Sequence, residues 1–508
     1  MAKKSTLSLI TRLGRPEMSL ANADVELRSF QASGKSSDRT RSGLRISRNW
    51  PSSATDRRRS AQGFPEGNDC FHSPKAVKEK YALMAEETND EHYLKAATEL
   101  GDTQNVVAHQ PILSSNGIKV VERGVRVDSR LFERLLNHRL QVPIDESLTA
   151  EQAVTLDELR DLAEKLIDER PFYGQLAAQL SDRVTLLGTI GSIALPKPIA
   201  FRLTVARDRR GAIFGHSLQV ALIALHLGIR QELKVAELRA LAAAALLQDA
   251  GMLHIDPAML QAEHRFDAAE RRQLHAHPLT SAMIVKQQPE YPQAVGRAIL
   301  EHHERHDGSG YPRGLKGAEI SVMGRILLLA EVVAGVLDKE SRAPERRLSL
   351  ILRLNHVKFD AQMSKSILRL LEQGKVDESD VEQDHRNAER LKRLDEDFDE
   401  WSQARSELVN YAAGAPAVGA FLTDRVVALE RSLADAGLHP DQLKSVCLDV
   451  RDQPDALGEV AMLAREAGWQ LNGIIQDVFC RFPTLENSEQ PGEVAIRDWL
   501  LRLSGRLQ

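Results

Sequence analysis

One short run of the chain, residues 301–312 with the sequence EHHERHDGSGYP, brings histidines and carboxylates close together. Two adjacent histidines, His302 and His303, end a predicted helix, and a Gly/Pro-rich loop that contains Asp307 follows them. Imidazole and carboxylate groups are common ligands of Mn, Fe, Zn and Ni. Because adjacent side chains on a helix point about 100° apart, His302 and His303 face two ions more easily than one. The run therefore predicts part of a site for divalent metals.

Four more residues of the ligand type lie within predicted apolar helices, namely His216, Asp249, His277 and Glu331. Taken singly, His216 is also explained as a hydrogen-bonded helix histidine, and His277, which precedes a proline, as a helix-end residue. Glu331 is harder to explain in this way, because an isolated carboxylate in an apolar helix is costly unless it is paired. Together with the histidine pair, these residues predict a two-metal constellation.

The elements that must position these residues are predicted to be helices. Apolar residues recur at helical spacing over residues 155–180, and residues 212–227 predict an amphipathic helix that ends at Gly228 as a C-cap. Residues 237–247, 293–303 and 323–337 predict further apolar helices. Residues 267–270 are typical of a capping box, and Pro278 is expected to kink or restart the helix that follows. Short strands are predicted at residues 106–108 and 118–121.

The composition is that of a globular protein with two or three domains: 508 residues, 42% hydrophobic and 27% charged. No apolar run reaches the eighteen or so residues that span a bilayer, so no membrane span is predicted. Three distant cysteines, Cys70, Cys447 and Cys480, form neither a disulfide framework nor a zinc motif. The expected compartment is the cytoplasm.

The net charge of −5 is unevenly distributed. Residues 1–83 contain 16 Lys and Arg against 8 Asp and Glu, and the remainder of the chain is acidic. An acidic body argues against general nucleic-acid binding. The basic, Ser/Arg-rich head is interpreted as a disordered tail, with an arm for nucleic acid or a membrane surface as the alternative.

The order and spacing of the ligand-type residues resemble the HD-GYP branch of the HD phosphohydrolase superfamily over roughly residues 210–343. The resemblance rests on Gly215-His216-Ser217, Gln248-Asp249, His277-Pro278, the run from His302 to Pro312, and Glu331. It implies an all-helical bacterial signal-transduction domain that hydrolyses cyclic di-GMP. The implied cofactor is a divalent metal, with Fe or Mn preferred, as one or two ions or none.

The resemblance also implies roles for individual residues. Asp249 would bridge two ions, His216 and Glu331 would complete one of them, and His277, His302 and His303 would hold the other. Asp249 and His277 are thereby the expected catalytic residues. The GYP loop (residues 307–312) would contact the cyclic dinucleotide, another phosphoester or signalling proteins through Asp307, Gly308, Gly310, Tyr311 and Pro312.

Three departures from the family pattern bear on function. The defining His-Asp pair is Gln248-Asp249, so that one imidazole ligand is replaced; the lysine expected three residues after that aspartate is Met252; and the expected late aspartate is Glu331. Two hypotheses follow. The first is a metal-dependent phosphodiesterase with a damaged site and reduced or absent activity. The second is a catalytically dead signalling module that binds nucleotide or partner proteins through the GYP loop.

The predicted fold class is mainly α, with a helical HD-GYP-like core, a small N-terminal region with short β-strands and a helical C-terminal extension. The predicted limits are a basic disordered tail at 1–83, an N-terminal region at 84–195, the HD-GYP-like domain at 196–345 and the C-terminal helices at 346–508. The last region is interpreted either as a homodimerisation arm or as a solvated helical appendage.

Overall fold

The computed structural model describes residues 91–180, 183–261, 264, 266–338, 344–373, 416–435 and 454–507. The predicted basic tail at 1–83 lies outside the described residues. In the part that is described, helices dominate and the strands are short, so that the predicted mainly-α fold class is confirmed.

The N-terminal region combines helix with two small antiparallel sheets. Helices α1 (Glu91–Thr103) and α2 (Phe132–Leu136) accompany strands β1 (Val106–Ala108), β2 (Ile112–Leu113), β3 (Lys119–Val121) and β4 (Leu148–Ala150), with 3-10 turns at Ser129–Leu131 and Ile144–Glu146. Strand β1 pairs with β4, with Val106 opposite Ala150, and β2 pairs with β3. The predicted strands at 106–108 and 118–121 are confirmed, and they belong to different sheets.

The predicted helix over residues 155–180 is wrong as a single element. It divides into α3 (Leu156–Glu169) and α4 (Pro171–Ala178), and α5 (Arg183–Ile190) follows. The break lies at Pro171, whose missing N–H and ring geometry cannot continue a helix but suit the first turn of a new one. Thr155 caps α3 by accepting the backbone N–H of Glu158 at 3.2 Å.

The central helices of the HD region are α6 (Lys197–Arg209), α7 (Gly211–Arg230) and α8 (Val235–Leu247). Helix α7 packs against α6 and α8 and against α12, described below. It is long and apolar enough to cross a membrane, yet 72% of its apolar window is buried inside the protein, as expected of a core helix. Gly228 does not cap α7, which continues to Arg230. An added Cβ at Gly228 would lie 2.7 Å from the Leu241 side chain, so this glycine permits close packing of α7 on α8.

The remaining helices of this core begin where the sequence predicted. Asp267 and Glu270 form a reciprocal capping box at the start of α9 (Ala268–His275), and the chain restarts at Pro278 in α10 (His277–Lys286). Helices α11 (Gln293–Glu301) and α12 (Val322–Leu337) complete the set. Their buried side chains belong to one hydrophobic core that also includes residues of the N-terminal region, such as Leu100 and Leu148.

The C-terminal extension is helical, as predicted. It contains α13 (Pro344–Leu354), α14 (Ala361–Gln373), α15 (Pro416–Asp435), α16 (Pro454–Arg481) and α17 (Pro491–Leu507), with 3-10 turns at His356–Lys358 and Pro483–Asn487. Its last three helices enclose a second core, which includes Val426, Leu471 and Leu500 and joins α13 through Leu354. Helix α16 also packs against α9. The domain limits at 83, 195 and 345 stay predictions.

Candidate metal centre

Each predicted ligand lies on a different part of the helical core. His216 is one turn into α7, Asp249 follows α8, His277 begins α10, His302 and His303 follow the last turn of α11, and Glu331 lies in the middle of α12. Helices α7, α8, α11 and α12 pack against one another, and α10 packs against α11 and against the 3-10 turn Ala250–His254 that follows Asp249. The packing therefore directs residues that are far apart in sequence toward one place.

The first set of ligand atoms comes from His277, His302 and His303, which lie within 4.8 Å of one another. The Nδ1 atoms of His277 and His302 lie 2.6 Å from the carbonyl oxygens of Leu274 and Ile299. A carbonyl can only accept, so each Nδ1 is assigned the proton and each Nε2 keeps a lone pair in the neutral ring. A hydrogen bond from the ring nitrogen that does not face the metal is typical of histidines that ligate a metal.

The free lone pairs of this set converge. His277 Nε2 lies 3.2 Å from His302 Nε2, and Asp249 Oδ1 lies 3.3 Å from His277 Nε2 and 3.9 Å from His302 Nε2. Two acceptor nitrogens that face each other beside a carboxylate oxygen repel one another unless a proton or a cation lies among them. This donor set therefore fits a divalent metal ion.

Burial determines the charge state of the same groups. It lowers the pKa of His302 and, together with the neighbouring histidines and Arg305, lowers the pKa of His303 well below its usual value, so both of these imidazoles are neutral. Burial alone would raise the pKa of Asp249, but its contacts with His277, His302 and His216 outweigh this and keep the carboxyl ionised. The rings of His302 and His303 are thus neutral beside one anionic oxygen.

The second set comprises His216, Asp249 and Glu331, whose ligand atoms also lie within 4.8 Å of one another. Here the groups already bond to each other: His216 Nε2 lies 2.8 Å from Glu331 Oε2, and Gln248 Nε2 donates to the same oxygen. Burial alone would lower the pKa of His216, but the Glu331 carboxylate raises it to about 9. A metal at this position must displace an ion pair and an amide donor.

Gln248, in place of the expected histidine, is fully buried. Its Nε2 bonds to Glu331, and its Oε1 has no hydrogen-bond partner among the described residues. An unsatisfied buried amide oxygen costs about 1–3 kcal/mol, and it is a weak ligand for a hard cation. Met252, at the expected lysine position, lies in the 3-10 turn Ala250–His254 and is partly exposed, and its thioether carries no positive charge.

The GYP loop packs directly on the first set. Tyr311 stacks between His275, with ring centroids 4.0 Å apart, and His303, at 4.7 Å. Gly310 passes so close to the preceding backbone that an added Cβ would lie 2.4 Å from His303 O. Pro312 is buried, and Asp307 Oδ1 accepts the backbone N–H of Ser309 at 2.8 Å. The loop therefore forms a rigid rim beside the imidazoles.

Two carboxylates that were not predicted as site residues hold this loop in place. Glu304 is fully buried and accepts the backbone N–H groups of Arg313 and Leu315 at 2.7 and 2.8 Å. Glu301, equally buried, accepts the backbone N–H of Ser321 at 2.8 Å and binds the Arg313 side chain. The sequence could have indicated both residues, because they flank the histidine pair and a carboxylate at a buried helix end needs partners.

A buried ion pair braces the segment that carries Asp249. Arg202 on α6 donates to Asp145 Oδ2 at 2.9 and 3.2 Å and bonds to His254 Nε2 at 2.9 Å. The Arg202 guanidinium also lies 4.0 Å from the ring centroid of Tyr93 on α1. The N-terminal region is thereby tied to the 3-10 turn Ala250–His254 that begins immediately after Asp249.

The fold and the site define a helical domain with a histidine-and-carboxylate metal-binding geometry. Residues 200–362 match the family model described as HD domain. The 3'3'-cGAMP-specific phosphodiesterase 3 of Vibrio cholerae is 36% identical over 118 residues, which are 23% of this chain and 25% of that protein. The cyclic di-GMP phosphodiesterase response regulator RpfG of Xanthomonas campestris pv. campestris is 30% identical over 153 residues, 29% of this chain and 39% of that protein.

Among solved structures, Bd1817, an HDG"Y"P protein from Bdellovibrio bacteriovorus, aligns with a TM-score of 0.29 and 14% identity and covers 54% of this chain and 97% of that chain. The chain spans well under half the length of the two phosphodiesterases it matches. Residues 200–362 are thus similar to the HD domain family, which is metal-dependent, and the run from His302 to Pro312 is similar to its HD-GYP branch.

Proposed function

We propose that this domain binds a cyclic dinucleotide at a half-intact metal site and hydrolyses it slowly or not at all. The observation that carries the proposal is the contrast between the two ligand sets. In the first, the Nε2 atoms of His277 and His302 converge at 3.2 Å. In the second, Gln248 and His216 already occupy the Glu331 carboxylate.

The first set supports the binding of one divalent ion. His277, His302 and His303 would hold it, with Asp249 as the anionic ligand. A divalent ion at such a site polarises a phosphoryl oxygen and lowers the pKa of a bound water. The backbone-anchored imidazoles orient their Nε2 atoms in advance, so that little reorganisation is needed on binding.

The second set supports weakened catalysis. Loss of an imidazole ligand costs at least the roughly 10–100-fold in metal affinity or activity that outer-shell lesions cost. The absent cation at Met252 costs on the order of 10²–10³ in rate, by analogy with a removed oxyanion donor. If the penalties multiply, roughly 10⁻³–10⁻⁵ of ordinary activity remains.

The relatives support the substrate class. The matching proteins are named for the hydrolysis of 3'3'-cGAMP or cyclic di-GMP, which share a ring with two phosphodiesters. The alternative function is a catalytically dead module that signals through bound nucleotide or through the GYP loop. The Gln248–Glu331 hydrogen bond favours this alternative, because it closes the second metal position internally. A cytoplasmic location stays a prediction.

The test measures metal content and the hydrolysis of cyclic di-GMP and 3'3'-cGAMP for the wild type and for the double variant Gln248→His/Met252→Lys. We expect about one ion per wild-type chain and a second ion with a large gain in turnover in the double variant. Wild-type turnover equal to that of the double variant would contradict the damaged-site proposal. A double variant that gains an ion but no turnover would favour the signalling module.

A matched pair of single variants tests the first set. His302 and His226 are both fully buried histidines whose Nδ1 lies near a backbone carbonyl, but His226 lies on α7 outside both ligand sets. We expect His302→Ala to lose the ion and His226→Ala to keep it while losing stability. Equal metal content in both variants would refute the assignment of the site.

A further inference from the structure

The C-terminal helices contact the segment that joins the histidine pair to the GYP loop. Arg425 on α15 donates from Nη2 to Gly308 O at 3.5 Å. Lys358, in the 3-10 turn after α13, accepts the backbone N–H of His306 at 3.0 Å and donates from Nζ to Gln470 Oε1 on α16 at 3.0 Å. Arg425 and Gln470, which lie beyond the matched HD domain, therefore belong to a contact network that borders the candidate metal centre.

Three cationic side chains, Arg305, Lys358 and Arg425, lie near one another beside the GYP loop. Among the described residues, none of Arg305, Lys358 and Arg425 has a carboxylate oxygen within 4.0 Å. Within the described part of the chain, the Lys358 ammonium bonds to the amide oxygens of Asn355, at 2.6 Å, and Gln470, at 3.0 Å. All three side chains are partly exposed, so that a ligand can reach them. Neighbouring unpaired cations repel one another, and a bound anion relieves this repulsion.

The titration of the surrounding groups agrees with unpaired charge. Burial, reinforced by Arg305, lowers the pKa of Lys358 to about 7, and burial lowers the pKa of Arg425. Asp477 on α16 faces the same cations, yet burial raises its pKa, as expected of a carboxylate without a direct partner. The other carboxylates that face Lys358 are Asp307 and Glu466. The three cations and the Asp477 carboxylate thus lie near one another without forming ion pairs among the described residues.

We propose that Arg305, Lys358 and Arg425 form an anion-binding recess, completed by the C-terminal helices, that takes a phosphate group of the ligand. This deepens the proposed function and rests on it only for the choice of a phosphodiester. A cyclic dinucleotide carries two phosphates in one ring, so that one phosphate at the imidazoles leaves a second to be bound nearby. Guanidinium forks match phosphate oxygens in a bidentate manner, and the lysine adds a point charge.

Two further groups on the same segment have unused hydrogen-bonding capacity. The side-chain atoms His306 Nε2 and Ser309 Oγ are buried and have no hydrogen-bond partner among the described residues. Buried polar atoms of this kind are costly unless something satisfies them. A phosphate accepts from a hydroxyl and from a protonated ring nitrogen, so its oxygens are suitable partners.

The test is calorimetric titration of the full chain in EDTA, with cyclic di-GMP and, separately, with inorganic phosphate. We expect Arg425→Ala to weaken cyclic di-GMP binding by about tenfold, since a hydrogen bond to a charged group contributes at least that much. Arg425→Lys should retain part of the affinity, and Asp477→Asn should tighten binding by removing a facing negative charge. Arg431→Ala, an exposed arginine on the same helix, is the control and should bind like the wild type.

Four outcomes of this titration support or overturn the proposed anion-binding recess. Opposite effects of Arg425→Ala and Asp477→Asn on both probes support a recess for phosphate in general, and effects on cyclic di-GMP alone support a phosphodiester site. Equal affinity of Arg425→Ala and Arg431→Ala overturns the proposal, and so does weaker binding in Asp477→Asn. Because the titration uses no metal, its failure is distinct from a failure of the metal-site proposal, which is measured by metal content.

Discussion

Gly251 is the position at which a single methyl group should separate the two segments that carry Asp249 and His277. Its backbone N–H donates to Ser281 Oγ at 2.8 Å, and an added Cβ would lie 2.5 Å from His277 O. Ordinary contact begins at 3.4 Å, so that Gly251→Ala must move one segment by roughly 0.9 Å. Both segments carry candidate ligands, and the Asp249 Oδ1 to His277 Nε2 distance of 3.3 Å must change.

Gly251→Ala should lower both the free energy of unfolding and the affinity for metal. Overpacking of a dense core costs about 1–3 kcal/mol in the free energy of unfolding. A displacement near 1 Å in a reactive geometry costs on the order of 10²-fold in rate, and a disturbed ligand shell costs about 10–100-fold in metal affinity. Urea denaturation measures the first quantity, and competition between the protein and a chelator for Mn²⁺ measures the affinity.

The control is Gly188→Ala in α5, where an added Cβ meets nothing within 4 Å. Because alanine is favoured over glycine in a helix by about 0.5–1 kcal/mol, this variant should be as stable as the wild type or more so. Its Mn²⁺ affinity should be unchanged. If Gly251→Ala unfolds at the wild-type urea concentration and binds Mn²⁺ as the wild type does, the close approach of the two segments is not as described.

Three further predictions concern stability. Asp145→Ala leaves Arg202 buried without its carboxylate and should lower the free energy of unfolding by about 3–5 kcal/mol in urea denaturation; a loss below 1 kcal/mol would contradict the buried pair. Lys358→Met should be more stable than the wild type at pH 6, and the difference should shrink as the pH rises above 7, because the folded chain releases a proton there that the unfolded chain keeps. Equal pH profiles would argue against a lowered pKa. Removal of divalent metal by EDTA should lower the melting temperature of the wild type and leave that of His302→Ala unchanged, as scanning calorimetry can establish.

The helical core was predictable because its signals are local. The capping box at Asp267 and Glu270 and the restart at Pro278 are properties of a few adjacent residues, and both occur as expected. Gly228 shows the limit of such signals. A glycine near a helix end is consistent with a cap, but the neighbouring Leu238 and Leu241, which α8 brings from elsewhere in the chain, make it a packing position instead.

The candidate site was predictable to the extent that its residue types are unusual in apolar helices. Six ligand-type side chains, including Glu331, were singled out for that reason, and the fold gathers them into two sets. The hydrogen bond from Gln248 to Glu331 was not predictable, since it depends on how α7 and α11 bring the end of α8 close to α12. Arg425 carried no signal at all, because a single arginine on a C-terminal helix does not indicate which loop it will contact.

Gln248 also bears on how easily this domain can gain or lose its second metal position during evolution. Glutamine and histidine codons differ only in their third base, so a single transversion restores the imidazole. The residue is fully buried at the end of α8, and the two side chains have similar volumes, so the replacement requires little repacking. Selection can thus gain or lose the second metal position of this domain without remodelling its helices.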